Sequence, residues 1–194
     1  FILPFYKFFI KGIRVDIINI KYHPNKFISR IIKSKFLSNI FKLIFNKSYQ
    51  EISISEKSQL KSFIMPKHYD VGFHKLSFII RKNIIESFKK GLINDHWAAL
   101  PFLKGRPTLF YSKLFGIPPI ITNHLIDSDI DSGKILCYTH LKKNFQKFQI
   151  IFGLSNRIYK SLFFLCVSDF KPHDNKEGVI FYEIHPWIIK KINE

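Results

Sequence analysis

Apolar and polar positions change period repeatedly along this chain, and each change predicts an element. Phe1 to Lys11 has the spacing of an amphipathic helix, closed by Gly12. Val15 to Ile20 is a short apolar run of the kind a buried strand uses. Pro24 opens a long basic helical region that reaches about Lys47, with a break near Ser38. Residues 48–66 are polar and punctuated, so a loop with one short strand is expected there. Asp70 to His74 and Leu92 to His96 have strand patterns, with a helix between them at Lys82 to Lys90 capped by Gly91. A helix over Pro107 to Phe115 with Gly116 at its end follows. Ile120 to Ile126 and Lys134 to Thr139 are expected strands. Asn144 to about Val167 is a long helix, interrupted at Gly153, and the tail holds one strand (Val179 to Tyr182) and a last helical turn or two.

Strands alternating with helices predict an α/β fold: a Rossmann-like, mostly parallel sheet with helices on both faces. At 194 residues the chain is expected to form one domain, residues 1–194, with a real core. In such sheets ligands bind beyond the carboxyl ends of strands. Asn94 and His96 fall at such an end.

Composition narrows the function classes. Hydrophobic content of 46% with abundant aromatics argues against disorder. The longest apolar runs, such as Leu162 to Val167, are far shorter than the roughly 20 residues that span a bilayer. The apolar start, Phe1 to Phe5, has neither a basic flank nor a small-residue cleavage site, so it is not read as a signal peptide. A cytoplasmic protein is the expectation. The net charge of +17 invites a nucleic-acid partner. That reading is the less favoured one, because arginine occurs only at 14, 30, 81, 106 and 157 and lysine supplies most of the charge. Solvated lysines that steer an anionic substrate account for it more simply. Cys137 and Cys166 form no motif and read as buried thiols, and no Cys/His spacing marks a metal site.

The chemistry concentrates between Asn94 and Gly133. Asn94-Asp95-His96-Trp97-Ala98-Ala99-Leu100-Pro101 is followed by Gly105-Arg106-Pro107, Thr122-Asn123-His124 and Asp131-Ser132-Gly133. On a strand, Asn94 and His96 face one side, and so do Thr122 and His124. An amide can donate to an oxyanion, an imidazole can shuttle a proton near neutral pH, and a carboxylate can orient that imidazole. No glycine-rich phosphate loop and no serine-hydrolase signature is present.

In order and spacing these residues resemble the folate-dependent formyltransferases, which carry Asn-x-His, Leu-Pro, Gly, Thr-x-His and Asp-x-Gly. The resemblance covers roughly Asp70 to Leu136, about a third of the chain. It implies transfer of a formyl group from 10-formyltetrahydrofolate to an amine. Asn94, His96 and Asp131 would be catalytic, with His124 and Thr122 supporting them. The loop Leu76-Ser77-Phe78-Ile79-Ile80, together with Asp127 to Ile130, would hold the folate ring, with Leu76, Ser77, Phe78, Ile80, Asp127 and Ile130 as its contacts. The acceptor is open among an amino sugar nucleotide, glycinamide ribonucleotide and charged initiator tRNA. The first is favoured because Tyr182-Glu183-Ile184-His185-Pro186 is similar to short sugar-modifying members.

A formyltetrahydrofolate hydrolase would share the catalytic trio, and a degenerate, basic RNA-associated domain would keep only the fold. Two features depart from the family. Asp95 stands where an apolar residue is usual, and Trp97-Ala98 where a small pair is. A strand would point Asp95 away from the site, toward a helix, and Trp97 reads as core. The family's domain opens with a short strand and a glycine turn before its first helix. Here the first residues already match that helix, so the first strand is expected to be missing.

Overall fold

A computed structural model describes residues 17–22, 49–54, 56–64, 69–74, 76, 78–106, 108–142, 153–166 and 173–182, without the side chains of 17–22, 49–51, 155 and 166. The helices expected at Phe1 to Lys11 and Pro24 to Lys47, the Asn144 to Phe152 part of the long helix, and the final helical turns lie outside these residues.

The chain divides into two compact units, residues 1–67 and 68–194. In the first, β1 (Ile17–Tyr22) pairs in parallel with β2 (Tyr49–Ile54), in a register that sets Ile17 opposite Tyr49. The short helix α1 (Gln59–Ile64) follows and buries Leu60 and Ile64, one helical turn apart. The punctuated stretch thus holds the expected strand and also a helix. Its six residues are too few for a clear 3.6-residue period.

The second unit is built around a four-stranded sheet of order β3-β4-β6-β7. Its strands are β3 (Gly72–His74), β4 (Leu92–His96), β6 (Ile120–Leu125) and β7 (Ile135–His140). β3 runs parallel to β4, while β4–β6 and β6–β7 are antiparallel. A separate parallel pair joins β5 (Leu103–Gly105) to β8 (Val179–Phe181). Of the five ladder pairs among the described residues, three are parallel, and the antiparallel two flank β6. Ile93, Ile121 and Ile135, from β4, β6 and β7, are fully buried.

Helix α2 (Lys82–Ile85) is shorter than the Lys82 to Lys90 expected from its pattern. Beyond it the Ser87 and Phe88 N–H groups bond carbonyls three residues back, in tight turns. The Lys89 and Lys90 N–H groups donate to the carbonyls of Tyr69 and Asp70, not to the preceding helical turn. Helix α3 (Thr108–Leu114) ends before Gly116, whose φ of 65° supplies the left-handed cap its sequence predicts. Helix α4 (Leu154–Cys166) starts just after Gly153 and packs against β7. No helix among the described residues is long and apolar enough to cross a membrane.

Candidate active site

The pairing of β4 with β6 sets Asn94 opposite His124 and His96 opposite Thr122. Residues facing each other across an antiparallel ladder project to the same side of the sheet. All four therefore lie on one face, as the two-residue spacing predicts. Asp95 and Asn123, also paired, lie on the other.

Asp131 reaches the first face from the loop between β6 and β7. Its backbone has a φ of 50°, left-handed and uncommon for a residue with a side chain. Its Oδ2 accepts the Gly105 backbone N–H at 2.9 Å and lies 3.4 Å from His96 Nδ1. Its Oδ1 lies 3.5 Å from Asn94 Nδ2 and 3.7 Å from His124 Nε2. The strand β5, which sequence pattern did not reveal, brings Gly105 here. A side chain at Gly105 would collide with the Phe181 carbonyl, and its φ of 86° is also one that glycine takes readily.

Hydrogen bonding fixes which nitrogens carry protons. His96 Nε2 lies 2.7 Å from the Leu103 carbonyl oxygen, which only accepts, so Nε2 bears the hydrogen. Nδ1, turned toward Asp131, is left as the nitrogen that can gain or lose a proton. His124 Nδ1 likewise donates to the Leu125 carbonyl at 2.7 Å. Burial pushes the His124 pKa down to about 4, aided by the positive charge of a protonated His96 and opposed by Asp131. His124 is therefore neutral at pH 7, and its approach to Asp131 is not an ion pair there. Its Nε2 lone pair faces Asn94 Nδ2 at 3.3 Å. The two amide hydrogens of Asn94 are thus shared, over long distances, between His124 and Asp131.

Thr122 is fully buried and acts one step away. Its hydroxyl donates to the Ala98 carbonyl at 2.6 Å and accepts the Leu100 N–H at 3.2 Å. Thr108 and Tyr138 hold the Trp97 and Leu100 carbonyls at 3.0 Å each. This strapped turn, which contains a cis Leu100–Pro101 bond, carries the chain from His96 to Leu103.

The expected folate contacts differ in exposure. Ser77 lies outside the described residues. Leu76 and Phe78 are half-buried and Ile80 is buried, whereas Ile79 is 68% exposed. Asp127 is exposed and closes its own loop, accepting from Ser132 Oγ and from the Asp129 N–H. Ile130 is exposed beside Asp131.

Behind β4, Asp95 faces helix α4, as the strand alternation predicts. Arg157 Nε and its terminal nitrogen reach the two Asp95 carboxylate oxygens at 2.7 and 3.1 Å. Asn123 Nδ2 and Trp97 Nε1 add donors at 3.2 and 3.0 Å. Trp97 is thereby tied to the protein interior. The Cys137 thiol donates to Asn123 Oδ1 at 3.8 Å, and burial pushes its pKa up. Sequence reasoning gave Arg157 no role, and only its scarcity among the lysines marked it out. Among the described residues, no three His, Cys, Asp or Glu side chains are placed to hold a metal ion.

No family model matches the sequence. Solved structures with a similar fold do exist. One is HypX from Aquifex aeolicus in complex with tetrahydrofolic acid, with a TM-score of 0.60 and 14% identity. The match covers 88% of this chain, which spans 30% of HypX, just under a third of its length. Methionyl-tRNA formyltransferase from Clostridium thermocellum gives a TM-score of 0.57 at 22% identity, over 90% of this chain and 75% of that one. The formyltransferase PseJ from Anoxybacillus kamchatkensis, solved with UDP-4,6-dideoxy-4-formamido-L-AltNAc and tetrahydrofolate, gives 0.52 at 18% identity over 85% of each chain. The chain has the formyltransferase fold.

Proposed function

We propose that residues 1–194 form one catalytic domain that moves a formyl group from 10-formyltetrahydrofolate to an amine. The observation that carries this reading is the convergence of Asn94, His96, His124 and Asp131 on one face of β4 and β6. The acceptor amine attacks the formyl carbon, and the formyl oxygen takes the negative charge. Asn94 turns an amide hydrogen from its long internal contacts to that oxygen. His96, with Nε2 committed to Leu103, works through Nδ1. Asp131, held by the Gly105 N–H, steadies the imidazole when charged and takes the amine proton through a water. The bond from carbon to the folate nitrogen then breaks, and that nitrogen gains the proton. Leu76, Ser77, Phe78, Ile80, Asp127 and Ile130 are the side chains assigned to the folate ring. An amino sugar nucleotide is the favoured acceptor, in line with the UDP-linked formamido sugar bound in the PseJ complex. Cytoplasm is the proposed compartment.

The test is conversion of 10-formyltetrahydrofolate to tetrahydrofolate with a panel of amines. His96→Ala and Asp131→Asn are expected to lower turnover by roughly 100-fold or more. Turnover without any amine identifies a hydrolase instead. Absence of both turnover and folate binding, joined with steeply salt-dependent RNA binding, identifies a basic domain that kept only the fold.

A further inference from the structure

Asp131 needs more than its carboxylate contacts. Its left-handed backbone must be held against the easier conformations open to a residue with a side chain. The neighbouring Gly133 lies against the Leu125 carbonyl so closely that no side chain would fit. The loop between β6 and β7 is thus pinned at both ends of Asp131-Ser132-Gly133, and something must close it.

Asn175 does so. Its side-chain Nδ2 donates to the Asp131 carbonyl at 2.7 Å and to the Gly133 carbonyl at 2.9 Å, which uses both amide hydrogens. The residue is 1% exposed. Its Oδ1 is buried without a hydrogen-bond partner among the described residues. Asn175 is itself positioned from two directions. Reciprocal backbone bonds between His173 and Ile135, at 2.9 and 3.1 Å, align its segment with β7. Buried Lys104 donates its Nζ to the Asn175 carbonyl at 2.7 Å and approaches that of Lys176 at 3.3 Å. Lys104 lies between Leu103, whose carbonyl holds His96, and Gly105, whose N–H holds Asp131.

We propose that Asn175 is a positioning residue for the reaction: it holds the Asp131 backbone so that the carboxylate stays on the Gly105 N–H and beside His96 Nδ1, with Lys104 fixing Asn175 in turn. The inference rests on the catalytic role given to Asp131 above. A shift of the carboxylate by about an ångström can lower turnover by roughly 100-fold without touching substrate binding.

The test uses the full chain and two readouts. The first is a cycle of Asn175→Ala, Asp131→Asn and the double variant in the 10-formyltetrahydrofolate assay. Asn175→Ala is expected to lower kcat by roughly 10- to 100-fold with KM for the donor nearly unchanged, and to have almost no further effect in the Asp131→Asn background. The second is amide hydrogen exchange at Gly105, expected to quicken about 10-fold or more in Asn175→Ala whether or not the protein turns over the donor. Effects that multiply in the double variant, or unchanged Gly105 protection, overturn the proposal. A wild-type protein with no turnover defeats the formyltransferase reading, while Gly105 exchange still decides the brace. Should Asn175→Ala fail to fold, Asn175→Leu, close to asparagine in size and without the donor, reads the same quantities. Failure of both to fold overturns the proposal by making Asn175 a requirement of the fold.

Discussion

On the back of β4, Asp95 is gripped by Arg157, Asn123 and Trp97 at 2.7–3.2 Å, with both ionic partners out of water. On the front, Asn94, His96 and His124 surround Asp131 at 3.4–3.7 Å, and Asn94 lies 3.3 Å from His124. Neighbouring residues of one strand therefore belong to networks of different tightness. The back network satisfies its charges within the protein and leaves nothing for a ligand. The front network has short bonds only from its members to the backbone, at Leu103, Gly105 and Leu125. Its mutual side-chain contacts are long, so they can be exchanged for contacts to a substrate. Polar groups that a protein satisfies fully serve its fold, and those it holds in place but satisfies loosely are available for chemistry.

The largest test of this contrast is Arg157→Met. It strands the Asp95 carboxylate in a buried place and is expected to reduce stability by about 3–5 kcal/mol, read by denaturant unfolding. Asp95→Leu combined with Arg157→Met should recover most of that loss. If the double variant is as unstable as the single one, the back network does more than balance its own charge.

Next comes the pH dependence carried by the front. His124 titrates near 4 in the fold and near 6.5 in the unfolded chain. Its contribution is fully present above pH 6.5 and is lost as the pH falls toward 4, because the unfolded chain takes up the proton first. The loss is on the order of 3 kcal/mol. Thermal unfolding between pH 7 and 4.5 should show it, and His124→Asn, which keeps a donor for the Leu125 carbonyl, should flatten that slope. A slope unchanged in His124→Asn would assign it to other groups.

The smallest effect is expected at Thr122→Val, which removes the hydroxyl between the Ala98 carbonyl and the Leu100 N–H. The change should lower stability by about 1–3 kcal/mol, as a buried donor and acceptor lose their partner. Turnover should fall less than in His96→Ala, since Thr122 touches the turn and not the reacting groups. Turnover that falls as far as in His96→Ala would place Thr122 in the site itself.

Much of this was legible in the residues. Strand β4 has the bounds its pattern predicts, Leu92–His96, because its apolar positions and the glycine before it leave few alternatives. The two-residue strand period puts Asn94 with His96 and Thr122 with His124, and sends Asp95 to the other side. The chemical types and their order from Asn94 to Gly133 were sufficient to point to the family whose fold the chain has. The helix expected at Lys82 to Lys90 is shorter, in part because the carbonyls that take its last N–H groups, at Tyr69 and Asp70, come from elsewhere in the chain. A three-residue strand such as β5 has no period to detect, yet it supplies the two backbone groups that hold His96 and Asp131.

What the sequence determined by itself was therefore local: which side of a strand each residue faces, and which functional groups occur in which order. Tertiary structure alone decided the partners. The depressed His124 pKa, the Arg157 that neutralises Asp95 and the Asn175 that holds the Asp131 loop depend on contacts between residues 30 to 62 positions apart. A one-dimensional period carries no record of such contacts, because burial and hydrogen bonding at that separation are set by how the sheet and helices pack.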